Sequence, residues 1–183
     1  MSTTNQNIEQ LLLQCSTGNQ RAQLEVYNRY YKAMYNTAIR ILRDSYKAED
    51  IMQESFLTAF SKLETLKDKT VFSAWLKRIV VNNSIAAYNK KSNENTVALD
   101  TVIYKVEENT GLAEENSKNE KVTYILKQIK QLKPNYSLSL TLHLIEGYDY
   151  EEISEIMDIS YANCRTLISR AKESLRQKLS VNA

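Results

Sequence analysis

Between Ser160 and Leu179 the chain sets two kinds of residue on opposite sides of a helical pattern. Cys164, Ile168, Ala171 and Leu175 recur at steps of 4, 3 and 4. That spacing defines one buried face. Tyr161, Asn163, Arg165, Thr166, Ser169, Arg170 and Lys172 are left outside. These side chains supply cations and hydrogen-bond donors and acceptors. A helix lying in a DNA major groove needs such a face, to read base edges and to touch phosphates. This is the chemistry of recognition, not of bond making.

Bond-making chemistry finds little support elsewhere. Cys15 and Cys164 lie far apart, and with the single His143 they form no metal-ligand spacing. The three glycines, Gly18, Gly111 and Gly147, are scattered, so neither a glycine-rich phosphate loop nor a nucleophile elbow can form. No enzyme, metal or cofactor is expected. Cys164 reads as a small buried hydrophobe, and His143 as structural or surface-exposed.

The elements around the basic helix agree with its reading. A short helix is expected from about Tyr150 to Met157, with Ile153, Ile156 and Met157 inward. Asp158-Ile159-Ser160 forms the turn, Ile159 plugs it, and Ser160 caps the next helix. Glu146 to Asp158 holds six acids and no base, whereas Ser160 to Leu179 holds five bases and one acid. The scaffold helix stays out of the groove, so its acids can face water. The plainer alternative for this segment is a helical hairpin with a solvated basic face.

Few Gly and Pro with many helix formers indicate an all-α chain. The balance of charge is +5 over residues 1–91, −5 over 92–120 and +2 over 121–183. The middle stretch is rich in Asn, Glu, Ser and Thr, and reads as an acidic linker between two small helical domains. Four helices are expected in the first domain. One runs near Asn7–Cys15 and stops at Gly18-Asn19. The others carry stripes at Tyr27, Tyr31, Met34, Ala38 and Ile41, then Met52, Phe56, Ala59 and Leu63, then Phe72, Leu76 and Ile79. All are expected in the core. In the second domain, an apolar run from Leu138 to Ile145 is expected to form one helix ended by Gly147. The 12 tyrosines against three phenylalanines read as amphipathic core or interface residues. No run of about 18 apolar residues exists, and the N-terminus lacks a signal region, so a cytoplasmic protein without membrane insertion is expected.

Leu132-Lys-Pro-Asn-Tyr136, Ile145-Glu-Gly-Tyr-Asp-Tyr-Glu-Glu-Ile153 and the segment from Ile159 to Lys172 resemble the promoter-recognition region of bacterial sigma factors. Ala48-Glu-Asp-Ile-Met-Gln-Glu-Ser-Phe-Leu57 resembles the family's helix for binding core polymerase. Phe72-Ser-Ala-Trp-Leu-Lys-Arg-Ile79 with Val81-Asn82 resembles its −10 element segment. Two domains alone are expected, which would match the extracytoplasmic-function (ECF) group. The resemblance implies a region 2-like bundle at 1–91, a linker at 92–120 and a region 4-like helix-turn-helix domain at 121–183.

It further implies roles. Tyr161 to Lys172 would read the −35 element. Lys77, Arg78, Asn82, Asn83, Tyr88, Lys90 and Lys91 would serve the −10 element, where opened DNA needs cations for phosphates and amides for base edges. Asn82 is the foremost of these. The loop Lys67-Asp-Lys-Thr70 lies where the family captures a flipped base. Asp50, Gln53, Glu54 and Leu57 share a helix face that would dock on the clamp helices of the polymerase β′ subunit. Trp75 is a hallmark of the family, and as a residue it reads as a core anchor for the fourth helix ahead of a stacking surface for DNA. Core RNA polymerase and promoter DNA are the implied partners, and an anti-sigma factor is a common one. The linker would pass near the polymerase active-site cleft.

The chain departs from the family pattern at Leu167, where a basic residue is common, and at Ala162-Asn163, Cys164, Ala86 and Lys133. These limit any transfer of promoter sequence. Two other readings stand beside this one. An ordinary helix-turn-helix regulator would bind duplex DNA without polymerase. A helical adaptor would bind proteins only.

Overall fold

A computed structural model describes residues 7–95 and 118–181. Most of the expected linker, residues 96–117, lies outside the described residues. No strand occurs among the described residues. The chain divides into two compact units, Met1–Asn93 and Glu94–Ala183.

The first unit is a bundle of α1 (Ile8–Ser16), α2 (Gln20–Leu42), α3 (Ser45–Ser61) and α4 (Phe72–Asn95). Local chemistry sets the breaks. Gly18 takes φ +81°, open to glycine at no steric cost, while its N–H and that of Asn19 close onto the last carbonyls of α1. Asn19 then starts α2, its side chain accepting from the Arg21 and Ala22 N–H groups at 3.0 and 3.2 Å. Asp44 caps α3 through the Lys47 N–H at 3.1 Å.

α2 packs along α1 and α3. Leu12, Val26, Met34, Ala38, Met52, Phe56, Leu63, Phe72, Leu76 and Val80 are buried in one core. Aromatic rings bind it across helices, with Tyr27 against Phe56 at 4.8 Å and Tyr30 edge-on to Phe72 at 5.5 Å between centroids. One expected core residue differs. Tyr31 is 44% exposed. It stacks on Tyr27 at 5.7 Å from the rim, because a tyrosine can bury one ring face and leave its hydroxyl wet.

The second unit holds α5 (Lys118–Lys130), α6 (Pro134–Leu140), α7 (Tyr150–Met157) and α8 (Tyr161–Val181). Pro134 opens α6, where its missing N–H costs nothing. The apolar run is not one regular helix. Thr141–Ile145 forms a π turn, with the Glu146 N–H reaching the Thr141 carbonyl at 3.0 Å. The wider turn changes the facing of the residues that follow. Leu138, Leu140 and Leu142 are all buried, while Leu144 is half exposed. Gly147, at φ +81°, ends the segment. Asp149 and Glu152 then form a reciprocal capping box at the start of α7.

Candidate nucleic-acid interface

α8 is built as its pattern requires. Cys164, Ile168 and Ala171 are fully buried and Leu175 nearly so. Asp158 turns the chain with φ +53°, and the Ser160 hydroxyl accepts the Asn163 N–H at 3.2 Å. Ile159 is half-buried instead of fully enclosed. Its place at the outside of a tight turn leaves part of the side chain without neighbours. Tyr161, Asn163, Arg165, Thr166, Ser169 and Arg170 all lie exposed on the outer face. The Thr166 hydroxyl donates to the Ala162 carbonyl at 3.0 Å, so what it offers outward is an acceptor.

Lys172 sits differently from the other six, and its expected place on the exposed outer face is not what the structure shows. It is half-buried, and its ammonium lies 3.3 Å from His143 Nε2 and 3.3 Å from the Tyr150 hydroxyl. His143 Nδ1 is 3.0 Å from the Tyr148 carbonyl. A carbonyl only accepts and an ammonium only donates, so the imidazole carries its proton on Nδ1 and accepts at Nε2. His143 thus has a structural task, joining the π turn to α8. The side chain of Lys172 points back into the domain because that acceptor, 29 residues earlier, is within its reach.

Both cysteines are buried. Burial pushes the Cys15 thiol up to about 11 and that of Cys164 upward as well, so both stay protonated and unreactive at neutral pH.

In the first unit, Arg78, Asn82, Ala86 and Lys90 follow one another at steps of four along α4. Asn82 and Lys90 are exposed, whereas Lys77, Arg78 and Tyr88 are half-buried. Tyr88 and Trp75 pack against the core, which fits Trp75 as an anchor. Asn83 is half-buried and engaged within the unit. Its amide donates to Ser55 Oγ at 3.0 Å, and that hydroxyl donates to the Ile51 carbonyl at 2.6 Å. Asn83 therefore ties α4 to α3, one residue of turn away from the outward stripe. The side chain of Lys91 lies outside the described residues.

On α3, Asp50, Gln53, Glu54 and Leu57 are all exposed, Leu57 at 72%. The Gln53 amide donates to Glu49 at 3.3 Å. Sequence reasoning missed Tyr46, which is 83% exposed. Residues 46, 50, 53 and 57 recur at steps of 4, 3 and 4, the same signal that found the core stripes, here on the outer side. An exposed tyrosine and leucine bracketing an acid and an amide give this face the mixed polar and apolar chemistry common at protein interfaces.

α3 and α4 are joined by two short 3-10 turns, Leu63–Thr65 and Lys69–Val71. Lys67, Asp68 and Thr70 are exposed there and Lys69 is half-buried. The Asp68 carboxylate accepts from the Thr70 hydroxyl at 2.6 Å and the Thr70 N–H at 2.9 Å, which holds its pKa below the ordinary value.

Comparison with known proteins places both units. Residues 26–94 match the family model described as Sigma-70 region 2, and residues 123–175 match that of Sigma-70, region 4. The chain is 33% identical over 140 residues to the ECF RNA polymerase sigma-E factor of Haemophilus influenzae, covering 71% of this chain and 73% of that one. It is 29% identical to the ECF RNA polymerase sigma factor SigW of Bacillus subtilis, over 94% of this chain and 96% of the relative. Among solved structures, the sigma factor RpoE of Bartonella quintana, in complex with the anti-sigma factor NepR, shares the fold. Its TM-score is 0.55 at 20% identity, over 87% of this chain and 97% of the other. CnrH, solved with the cytosolic domain of CnrY, gives the same TM-score and identity over 96% and 99%. A regulator with a helix-turn-helix alone accounts for the second match and not the first.

Proposed function

We propose a division of labour among the helices from one premise: the chain belongs to the sigma-70 family, in its extracytoplasmic-function group. As such it binds core RNA polymerase and directs promoter-specific initiation by recognising −10 and −35 elements. Sigma factors are non-enzymatic regulatory subunits. Nucleotide chemistry is left to the polymerase, and the cytoplasm is where this chain acts. Among the described residues no helix is long and apolar enough to cross a membrane. An anti-sigma factor is a further partner, in keeping with the complexes in which its structural neighbours were solved.

The domains are 1–91 for polymerase binding and the −10 element, 92–120 as linker, and 121–183 for the −35 element. The observation that carries the second assignment is α8 itself, capped by Ser160, seated on a buried stripe and exposing Arg165, Ser169 and Arg170 on its outer face. Arg165 and Asn163 read bases, and Arg170 neutralises phosphate. Asn82 and Lys90 meet the opened −10 strand. Tyr46, Asp50, Gln53, Glu54 and Leu57 meet the β′ clamp helices. Asn83 and Lys172 support these faces from behind.

Arg165→Ala is expected to reduce discrimination at one −35 base pair about tenfold, the scale of one lost bidentate base contact. Preferences elsewhere stay as they were. The check is promoter selection from a randomised −35 library by reconstituted holoenzyme, and an unchanged preference excludes Arg165 as a reader. Measured on the same duplex, Arg170→Met lowers the salt slope by about 0.9, one phosphate's share, and Lys172→Met by distinctly less. Equal slopes for the two variants would return Lys172 to the phosphate-binding set.

Asn82→Ala should lower open-complex formation about tenfold, by loss of one amide contact to an unpaired base, with core affinity unchanged. Wild-type open-complex yields, followed by permanganate reactivity of unpaired thymines, would remove Asn82 from the −10 interface.

A further inference from the structure

We propose that Lys69 is a positioning residue, whose ammonium clasps the α3–α4 connection and fixes the shape that meets an unpaired promoter base. This rests on reading that connection as part of the −10 interface. Lys67 and Lys69 flank Asp68 and look alike in sequence, two cations suited to phosphates. The structure separates them. Lys67 is exposed, whereas the Lys69 ammonium donates to the Leu63 carbonyl at 2.8 Å and the Leu66 carbonyl at 2.9 Å.

The side chains of Leu63 and Leu66 are buried in the core, so the two carbonyls are held at fixed points. The Leu63 carbonyl also accepts the Leu66 N–H at 3.2 Å, closing the first 3-10 turn. Such turns leave carbonyls poorly satisfied at their ends, and a charged donor reaching two of them makes the stronger kind of hydrogen bond. Lys69 thereby draws the second turn against the first. On the outer side, Asp68 folds over the Thr70 N–H and hydroxyl. The segment from Leu63 to Thr70 is bracketed on both sides, inward by Lys69 and outward by Asp68. A cation held on backbone carbonyls is not offered to phosphate. Its effect on DNA is exerted through the placement of Thr65, Lys67 and Thr70.

The test is transcription by reconstituted holoenzyme from a promoter library randomised across the −10 element. It compares the wild type with Lys69→Met, Lys69→Arg, Lys67→Met and Thr70→Ala. Lys69→Met is expected to flatten base preference at one −10 position about tenfold, the scale of one lost base contact. Lys69→Arg, which still offers several N–H donors, keeps most of that preference. Lys67→Met lowers output across all sequences alike and leaves the preference intact. Wild-type preferences in Lys69→Met together with altered ones in Thr70→Ala would overturn the role of Lys69 alone. Wild-type preferences in every loop variant would overturn the −10 reading of the loop, and the proposal with it. Should Lys69→Met fail to fold, Lys69→Gln takes its place under the same criteria. Amide hydrogen exchange gives a second readout. The Leu66 N–H should exchange faster in the Lys69 variant than in Lys67→Met, and equal rates would show that no clasp exists.

Discussion

Replacing Asp50 and Leu57 together by alanine weakens binding to core RNA polymerase by about 30-fold or more, the scale of one interface hot spot. The thermal midpoint of the free protein stays where it was. Both parts of this expectation come from exposure. Leu57 is 72% exposed on the outside of α3, and Asp50 lies on the same stripe. The buried stripe of α3 runs through Met52, Phe56 and Ala59 instead. An exposed leucine costs little to truncate in the free protein. In the proposed complex with polymerase it would be the apolar centre, with Asp50, Gln53 and Glu54 as the polar rim. Equilibrium competition against wild-type chain for a limiting amount of core polymerase measures the effect. Undiminished affinity would remove this face from the interface and leave Tyr46 without a role.

Phe72→Ala is expected to destabilise the first unit by about 3–5 kcal/mol, as for other buried aromatic residues cut to alanine. Phe72 is 1% exposed at the first turn of α4, where its ring meets Tyr30 at 5.5 Å and Trp75 at 6.1 Å. It joins α2 to α4 at the point where the chain leaves the α3–α4 connection. A unit of this size has roughly 5–15 kcal/mol in hand, so the loss is a large part of the whole. Urea denaturation followed by far-UV circular dichroism should show an early transition in the variant, assigned to the first unit. A loss below about 1 kcal/mol, less than a well-packed aromatic residue should cost, would show that the ring is not the anchor.

Helix positions were legible where one physical rule decides them. The apolar steps of α8 predict Cys164, Ile168, Ala171 and Leu175 as its buried face, and all four are buried. Ser160 caps α8 and Gly18 ends α1, because capping depends on a few neighbouring residues. The acidic and apolar outer stripe of α3 was legible from Asp50 onward. Tyr46 escapes because it lies two residues before Ala48, where the motif that carries the resemblance begins.

What escaped was set by distant partners. Asn83 and Lys172 carry the right chemistry for DNA, yet Ser55 and His143, 28 and 29 residues earlier, take them inward. Lys69 is held in the same way, at shorter range, by two carbonyls that no residue pattern displays. The π turn at Thr141–Ile145 escaped because an uninterrupted apolar run has no period to betray the extra residue.

Run-off transcription tests the central claim most directly. Core RNA polymerase is given fragmented genomic DNA from the source organism, with and without this chain, and start sites are mapped. The account predicts new, defined start sites that share two upstream elements, near −10 and −35. No added transcripts, from an active core and a folded chain that instead protects a palindromic duplex without polymerase, would contradict it.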